Sequence, residues 1–217
     1  MSTKQNILAR LRASGPQVAN ATFASKPEVP AVVEVDANDV SRFIECLQAC
    51  HAQVAEVSAA MLATRLAARV RAHGLTRLLV SEQLQPIAAE CGDACELISW
   101  QSLGDAPVAK LFDEVPAALT GSFGGICETG SIVLWPTAEE PRTVSLVPPV
   151  HFVVVYKSRL VKNFTALLAK DEFSKGLPTN LVLVSGPSKT ADIQQTLAYG
   201  AHGPHSLEVF LVDDTAQ

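Results

Sequence analysis

The chain has 217 residues, of which 48% are hydrophobic and 18% are charged, and its formal net charge is −5. This length and composition fit one globular domain with a small appendage. No basic cluster exceeds three residues, so we expect no nucleic-acid surface. Apolar runs such as 152–156 fall far short of the ~20 residues that a membrane helix needs, and no apolar signal-peptide core is visible.

Residues 1–30 are predicted to form a short amphipathic helix and a linker. Ser2 is suited to cap that helix, which is expected to end near Ala13, before a Ser-Gly-Pro sequence. Pro27 and Pro30 punctuate the polar stretch that follows. The rest of the chain, residues 31–217, is predicted to form one α/β domain.

In the first half of this domain, predicted helices and strands alternate. Asp36 or Asn38 can cap a helix whose apolar residues recur at i, i+3, i+4 and i+7. The predicted strands here are 53–57, 77–80 and 94–100, and the predicted helices between them are 58–73 and 86–91. Such alternation with short connections predicts a mainly parallel sheet with flanking helices.

The second half contains more sheet and tight turns. Residues 121–130 include four glycines between predicted strands 115–120 and 131–135, and another strand is predicted at 150–156. The remaining predictions are exposed loop 137–142, helix 160–170, loop 171–179, buried parallel strand 181–184, helix 191–199 and strand 207–212.

Five cysteines without an export signal indicate reduced thiols and a cytoplasmic protein. Two pairs, Cys46 with Cys50 and Cys91 with Cys95, have C-x3-C spacing, which suggests a metal or iron–sulfur cluster site. However, both pairs lie in Ala/Leu-rich segments, and iron–sulfur sequences prefer C-x2-C. We therefore interpret these cysteines as small apolar residues on buried helical faces, and we expect this chain to bind no metal and no cofactor.

The turn between strand 181–184 and helix 191–199 is a candidate anion site. Backbone N–H groups at a helix start lack intrahelical partners, and the helix dipole favours negative charge there. Gly186, Ser188, Lys189 and Thr190 would surround a carboxylate or phosphate. The alternative is an ordinary helix cap with the lysine in solvent. The segment is not a Walker A loop, because it lacks that motif's glycines.

Ligands in open α/β sheets bind beyond the carboxyl ends of the strands. Loops 121–130, 147–151, 185–190 and 200–205 are predicted to meet at that edge.

Glu128 is the candidate nucleophile or base in the first loop, since glycines let a substrate approach the backbone closely. The alternative is a surface carboxylate on a turn. The neighbours assigned to ligand binding are Gly124, Gly125, Thr129 and Gly130.

His151 and His202 are candidate ligand contacts in the other loops. With His205 and Cys127 they could compose a metal site, but no acidic partner is fixed by spacing, and a metal is not expected.

Five segments carry a family resemblance, in order through nearly the whole chain: 7–12 (ILARLR), 128–131 (ETGS), 147–151 (VPPVH), 185–193 (SGPSKTADI) and 200–204 (GAHGP). In these segments the chain resembles the LUD-domain family. Glu-Thr-Gly alone would be weak, whereas the paired C-terminal motifs are specific. One departure is Ala201, where the family commonly has a bulkier aliphatic residue.

The resemblance implies a fold similar to the ribose-phosphate isomerase and CoA-transferase superfamily, with a smaller β-rich insertion. It also implies a subunit of a complex that oxidises L-lactate to pyruvate, which binds a small anionic ligand while two partner proteins carry iron–sulfur clusters. The alternative is a free-standing CoA-transferase-like or sugar-phosphate enzyme that uses Glu128, by analogy of fold alone. No dinucleotide glycine fingerprint is present, which disfavours autonomous hydride transfer.

Overall fold

The computed structural model describes residues 3–14, 34–105, 107–176, 178–191, 197–200 and 202–214. The chain divides into two compact units, Met1–Pro30 and Ala31–Gln217. In the first unit, helix α1 spans Thr3–Ser14, close to its predicted bounds. The predicted linker lies outside the described residues.

Six strands of the second unit form an all-parallel sheet. They are β1 (Gln53–Ser58), β2 (Arg77–Val80), β3 (Glu96–Ile98), β4 (Ala117–Thr120), β7 (Val150–Tyr156) and β12 (Ser206–Asp213). Their order across the sheet is β1-β12-β7-β4-β2-β3. The predicted α/β class with a mainly parallel sheet is therefore confirmed, and β7 has its predicted bounds.

The helices of the second unit are α2 (Ala37–Ala49), α3 (Leu62–Ala72), α4 (Gln85–Ala88), α5 (Pro107–Glu114), α6 (Arg142–Leu146), α7 (Phe164–Leu168) and α8 (Asp171–Ser174). Leu167 of α7 and Phe173 of α8 pack in a core with Ile126 rather than on the six-stranded sheet. Short 3-10 turns span Ala59–Met61, Glu82–Leu84, Ala89–Cys91, Gln101–Leu103 and Lys157–Arg159.

Helix α2 begins where the sequence predicts, because the Asp36 side chain accepts hydrogen bonds from the backbone N–H groups of Asn38 and Asp39. Its residues Phe43 and Leu47 are fully buried, in one apolar core with alternate residues of β7 and β12. Helix α3 contributes to a separate core with the other residues of those strands. Alternate residues of a strand point to opposite faces, so both faces of the sheet are covered.

A smaller sheet supplies the predicted β-rich part. Strands β5 (Gly124–Ile126), β6 (Ser131–Leu134), β8 (Leu160–Val161) and β9 (Val182–Val184) pair in the order β8-β5-β6-β9. Strands β10 (Lys189–Ala191) and β11 (Leu197–Tyr199) form a separate antiparallel pair.

Two predicted elements in the last third are wrong. The strand predicted at 181–184 as buried and parallel is β9, which pairs antiparallel with β6 at the edge of the small sheet and leaves Leu183 46% exposed. The helix predicted at 191–199 is wrong at its described residues, because Ala191 pairs with Leu197 in an antiparallel ladder. Pairing between segments overrides local helix propensity here. The helix start that was predicted to bind an anion at residues 186–190 is therefore not formed.

Smaller differences concern the surrounding segments. The helix predicted at 160–170 begins as strand β8, and only Phe164–Leu168 is helical. Loop 137–142 ends in α6, and loop 171–179 contains α8. Among the described residues, no helix has the length and apolar character that crossing a membrane requires.

Candidate functional site

A cleft of about 190 Å³ opens beside the amino ends of β7 and β12, and we call it the histidine cleft. Residues that line it include Ser145, His151, Gly186, Ser188, His202 and Gly203. Four of these, His151, Gly186, Ser188 and His202, were predicted as ligand contacts from the sequence. Three separate motif segments therefore converge on one cleft.

These segments meet at the amino ends of strands in the six-stranded sheet, opposite to the predicted carboxyl edge. Residues 147–151 lead into β7 and residues 200–205 lead into β12, so both loops lie at the amino ends of parallel strands. Of the four loops, only 121–130 starts at a carboxyl end of the six-stranded sheet, directly after Thr120 of β4. Loop 185–190 follows β9 of the smaller sheet. The prediction that all four loops share the carboxyl edge is wrong.

The His151 side chain is 1% exposed and lines the histidine cleft. Its Nε2 lies 2.8 Å from the Thr120 hydroxyl oxygen, whereas its buried Nδ1 has no hydrogen-bond partner among the described residues. Burial lowers the pKa of His151 to about 4, so the imidazole is neutral at pH 7. If the Thr120 hydroxyl donates to Nε2, the single ring proton lies on Nδ1, and we assign this tautomer.

Ser188 is held at the cleft by its backbone. Its N–H donates to the Pro204 carbonyl at 2.8 Å, and its carbonyl accepts from the Gly200 N–H at 2.9 Å. A Cβ atom at position 203 would lie 3.1 Å from the Ser188 Cβ, so glycine there permits the close approach of the two segments. Ser185, Gly186 and Ser188 of the first motif and residues 202–204 of the second thus form one wall of the cleft.

A chain of hydroxyl groups links the Glu128 turn to this wall. The Thr129 and Ser131 hydroxyl oxygens are 2.8 Å apart, and Ser131 lies 2.8 Å from the hydroxyl of Ser185, which lines the cleft. Glu128 itself is exposed and is not among the residues that line the histidine cleft. Its backbone N–H donates to the Lys162 carbonyl, which fixes the turn while the carboxylate faces solvent.

Packing gives a reason for the three glycines around Glu128. A Cβ atom at position 124 would overlap the Arg159 carbonyl, and one at position 125 would lie 2.8 Å from the Phe43 ring. Gly130 has φ +59°, and a Cβ atom there would overlap Cys46 of helix α2. Ligand contact at Gly124, Gly125, Thr129 and Gly130 stays a prediction.

Lys189 and Thr190 are the first two residues of β10, and the Lys189 side chain is exposed. Lys189 is not among the residues that line the histidine cleft. Their predicted role as ligand contacts stays a prediction.

Burial raises the pKa of Cys91 to about 11 and that of Cys127 to about 12. These thiols stay protonated at neutral pH, which disfavours metal binding through a thiolate. Within the described ranges, no group of three or more His, Cys, Asp or Glu side chains is placed to hold a metal ion.

A second cleft, of about 370 Å³, opens at the carboxyl edge, and we call it the switch cleft. The loops after β2 and β4 contribute Ser81 and Gly121 to its lining. The chain leaves β2 towards β3 but leaves β4 towards β7 on the other side, so the strand order reverses between them. Such a reversal is where ligands bind in open α/β sheets.

Most residues of this cleft were not among the predicted site residues. Trp135, Glu140 and Arg159 line it, but residues 137–142 have the composition of an exposed loop. The one available signal was the position of that loop directly after a buried strand and Trp135. A third cleft, of about 490 Å³, runs along edge strand β3, where Arg77 pairs with Glu96 and Glu114.

The family model of the LUD domain matches residues 40–212. The chain therefore belongs to the LUD domain family.

Comparison with individual proteins gives the same family and fold. The chain is 32% identical over 224 residues to the uncharacterized protein NMB1437 of Neisseria meningitidis serogroup B, covering 98% of this chain and 94% of that protein. It is 31% identical over 126 residues to lactate utilization protein C of Macrococcus caseolyticus, covering 56% of this chain and 54% of that protein. The chain thus spans about half the length of that curated relative.

Lactate utilization protein C of Bacillus licheniformis is 26% identical over 150 residues, covering 67% of this chain and 60% of that protein. Among solved structures, a DUF162 family protein from Deinococcus radiodurans superposes with a TM-score of 0.60 at 24% identity, covering 83% of this chain and 99% of that one. At this identity the match shows the fold.

Proposed function

We propose that this chain is a subunit of an L-lactate utilization system and that its histidine cleft binds a small carboxylate such as lactate. The relatives named lactate utilization protein C support the lactate role. One observation supports the cleft above others: the buried Nδ1 of His151 lacks a hydrogen-bond partner where three family-like motifs meet. An unsatisfied buried nitrogen costs about 1–3 kcal/mol, which a ligand oxygen would recover.

The cleft offers neutral donors for an anion. The His151 Nδ1–H and the hydroxyls of Ser145, Ser185 and Ser188 can donate to carboxylate oxygens. Each hydrogen bond to a charged group contributes about 1.5–3 kcal/mol, so two or three give useful affinity without a cation. Because His151 is neutral above a pKa of about 4, binding requires no prior protonation.

The volume of the histidine cleft favours a small ligand. Pockets for drug-sized molecules are about 300–1,000 Å³, whereas this cleft has about 190 Å³. A carboxylate of three carbons suits that space better than a coenzyme A thioester. The CoA-transferase-like alternative would also need Glu128 in a ligand cleft, and Glu128 is on an exposed turn.

Oxidation of lactate to pyruvate releases two electrons and two protons. We propose that iron–sulfur clusters on partner proteins accept the electrons, as the family resemblance implies, and that this chain holds the substrate or product. The five cysteines of this chain lack the spacing of cluster-binding sequences.

Complementation tests this function. A strain of the source organism that lacks the gene should lose growth on L-lactate and regain it with the wild-type chain. Ser188→Ala removes one donor from the cleft and should give slower growth on lactate with normal growth on pyruvate. The control is Ser41→Ala, an exposed serine on α2. Normal growth of the deletion strain on L-lactate would contradict the proposed role.

Affinity purification of the tagged wild-type chain tests the assembly. Cluster-bearing proteins should co-purify from cells grown on lactate, under anaerobic conditions. Recovery of the chain alone, from cells in which it supports lactate growth, would contradict a stable complex.

A further inference from the structure

The switch cleft contains unfilled space next to Gly121. A Cβ atom built at Gly121 meets no atom within 4 Å, unlike the crowded positions 124 and 125. Gly121 also has no positive φ. Neither packing nor backbone conformation requires glycine at position 121. The missing side chain leaves free space above the backbone at the point where the strand order reverses.

Glu140 is half-buried in this cleft. Burial raises the pKa of its carboxyl group, and interactions with the Ser81 hydroxyl and the Gly121 backbone N–H partly offset that rise. The turn that carries Glu140 is fixed, since its N–H donates to the Thr137 hydroxyl at 3.1 Å and its carbonyl accepts from the Thr137 N–H at 3.1 Å. The fold therefore holds a partly desolvated carboxylate at the site.

One wall of the cleft is aromatic. The rings of Phe123 and Trp135, which both line it, have centroids 4.9 Å apart, and the Phe173 ring lies 5.6 Å from the first and 5.2 Å from the second. Lys170 already places its ammonium group 5.9 Å from the Phe123 ring centroid. Aromatic faces attract cations and also pack against apolar groups.

The charge of the lining is negative. Glu82, Glu139 and Glu140 contribute three carboxylates, against the single guanidinium of Arg159. Arg159 is exposed, and its guanidinium carbon lies 5.7 Å from the Tyr156 ring centroid. This balance opposes a phosphate or carboxylate ligand and favours a cation.

We propose that the switch cleft binds a small organic cation, a primary amine with an apolar body, whose ammonium group pairs with Glu140 while its body packs on Phe123 and Trp135. The site is at the opposite edge of the main sheet from the histidine cleft and does not depend on the proposed lactate role. With about 370 Å³, it has room for a ligand the size of an aromatic amine.

Fluorescence titration tests this proposal directly. The chain has two tryptophans, so Trp100→Phe leaves Trp135 as the only reporter. The probes are phenethylamine and 2-phenylethanol, which share the apolar body and differ in the cation. We expect saturable quenching by the amine and at least about 10-fold weaker binding of the alcohol, the difference expected of a charge-assisted hydrogen bond.

Two glutamate variants in the Trp100→Phe background locate the contact. Glu140→Gln should weaken amine binding at least about 10-fold and leave alcohol binding unchanged. Glu139→Gln removes the same charge from the exposed neighbouring residue and should weaken amine binding less than about 3-fold. Equal binding of amine and alcohol by the parent protein, no saturable signal from the amine, or equal effects of the two variants would each overturn the proposal.

Discussion

The buried imidazole of His151 makes the stability of the fold depend on pH. In the unfolded chain this histidine has its ordinary pKa of 6.5, and in the folded chain burial lowers the pKa to about 4. Between these values, unfolding takes up one proton. Its contribution to folding stability is therefore fully present above pH 6.5 and is lost progressively as the pH falls towards 4.

The magnitude follows from the two pKa values. At 1.36 kcal/mol per pKa unit, the loss is about 3 kcal/mol once the pH is below both values, and about 2 kcal/mol between pH 7.5 and pH 5. That is a large share of a stability of about 5–15 kcal/mol. Other groups also titrate over this range, so the histidine's part must be isolated by comparison with a variant.

Urea unfolding of the wild type and His151→Gln at pH 7.5 and pH 5 gives that comparison. The variant should be less stable at pH 7.5, because glutamine does not fill the space of the buried imidazole ring, but its stability should fall about 2 kcal/mol less on acidification. Ser41→Ala, which changes an exposed serine on α2, should retain the wild-type pH dependence. Parallel pH profiles for the wild type and His151→Gln would refute the burial argument.

Three further predictions concern the remaining sites. In thermal melts, Gly130→Ala should lower the stability by at least about 1–2 kcal/mol, because Gly130 has a positive φ and a Cβ atom there would overlap helix α2. Gly121→Ala should stay within about 0.5 kcal/mol of the wild type. Equal effects of the two substitutions would contradict the packing argument. Cys91 and Cys127 should resist iodoacetamide in the native protein at pH 8, since burial keeps both thiols protonated; rapid labelling of either by peptide mass spectrometry would show an accessible thiolate. Incubation with an acyl-CoA should leave no hydroxylamine-sensitive adduct on the peptide that contains Glu128, and its detection would favour the free-standing enzyme.

Local patterns predicted the elements that local interactions determine. The Asp36 cap and the apolar spacing after it gave the start and buried face of α2. The apolar run 152–156, with Val150 before it, predicted the buried strand β7 with the observed bounds. Both signals reside in a few consecutive residues.

The errors arise where distant segments decide the structure. Residues 197–199 have helix-forming neighbours but pair with β10, and no local signal shows that pairing. The edge assignment failed for a different reason: His151 is inside a predicted strand, near its start, and that position already places it at an amino end. Glu140 was missed because its burial depends on the loops after β2 and β4, which the sequence does not bring together.

The proposed lactate role requires the histidine cleft to bind a small carboxylate through His151 and Ser188. Isothermal titration of the wild-type protein with L-lactate at pH 7.5 measures this binding, with Ser188→Ala as the cleft variant and Ser41→Ala as the control. We expect one saturable site in the wild type and the control, with affinity at least about 5-fold weaker in Ser188→Ala, the loss expected for one hydrogen bond to a charged group. No saturable binding of L-lactate by the wild type, or equal binding by Ser188→Ala, would contradict the claim.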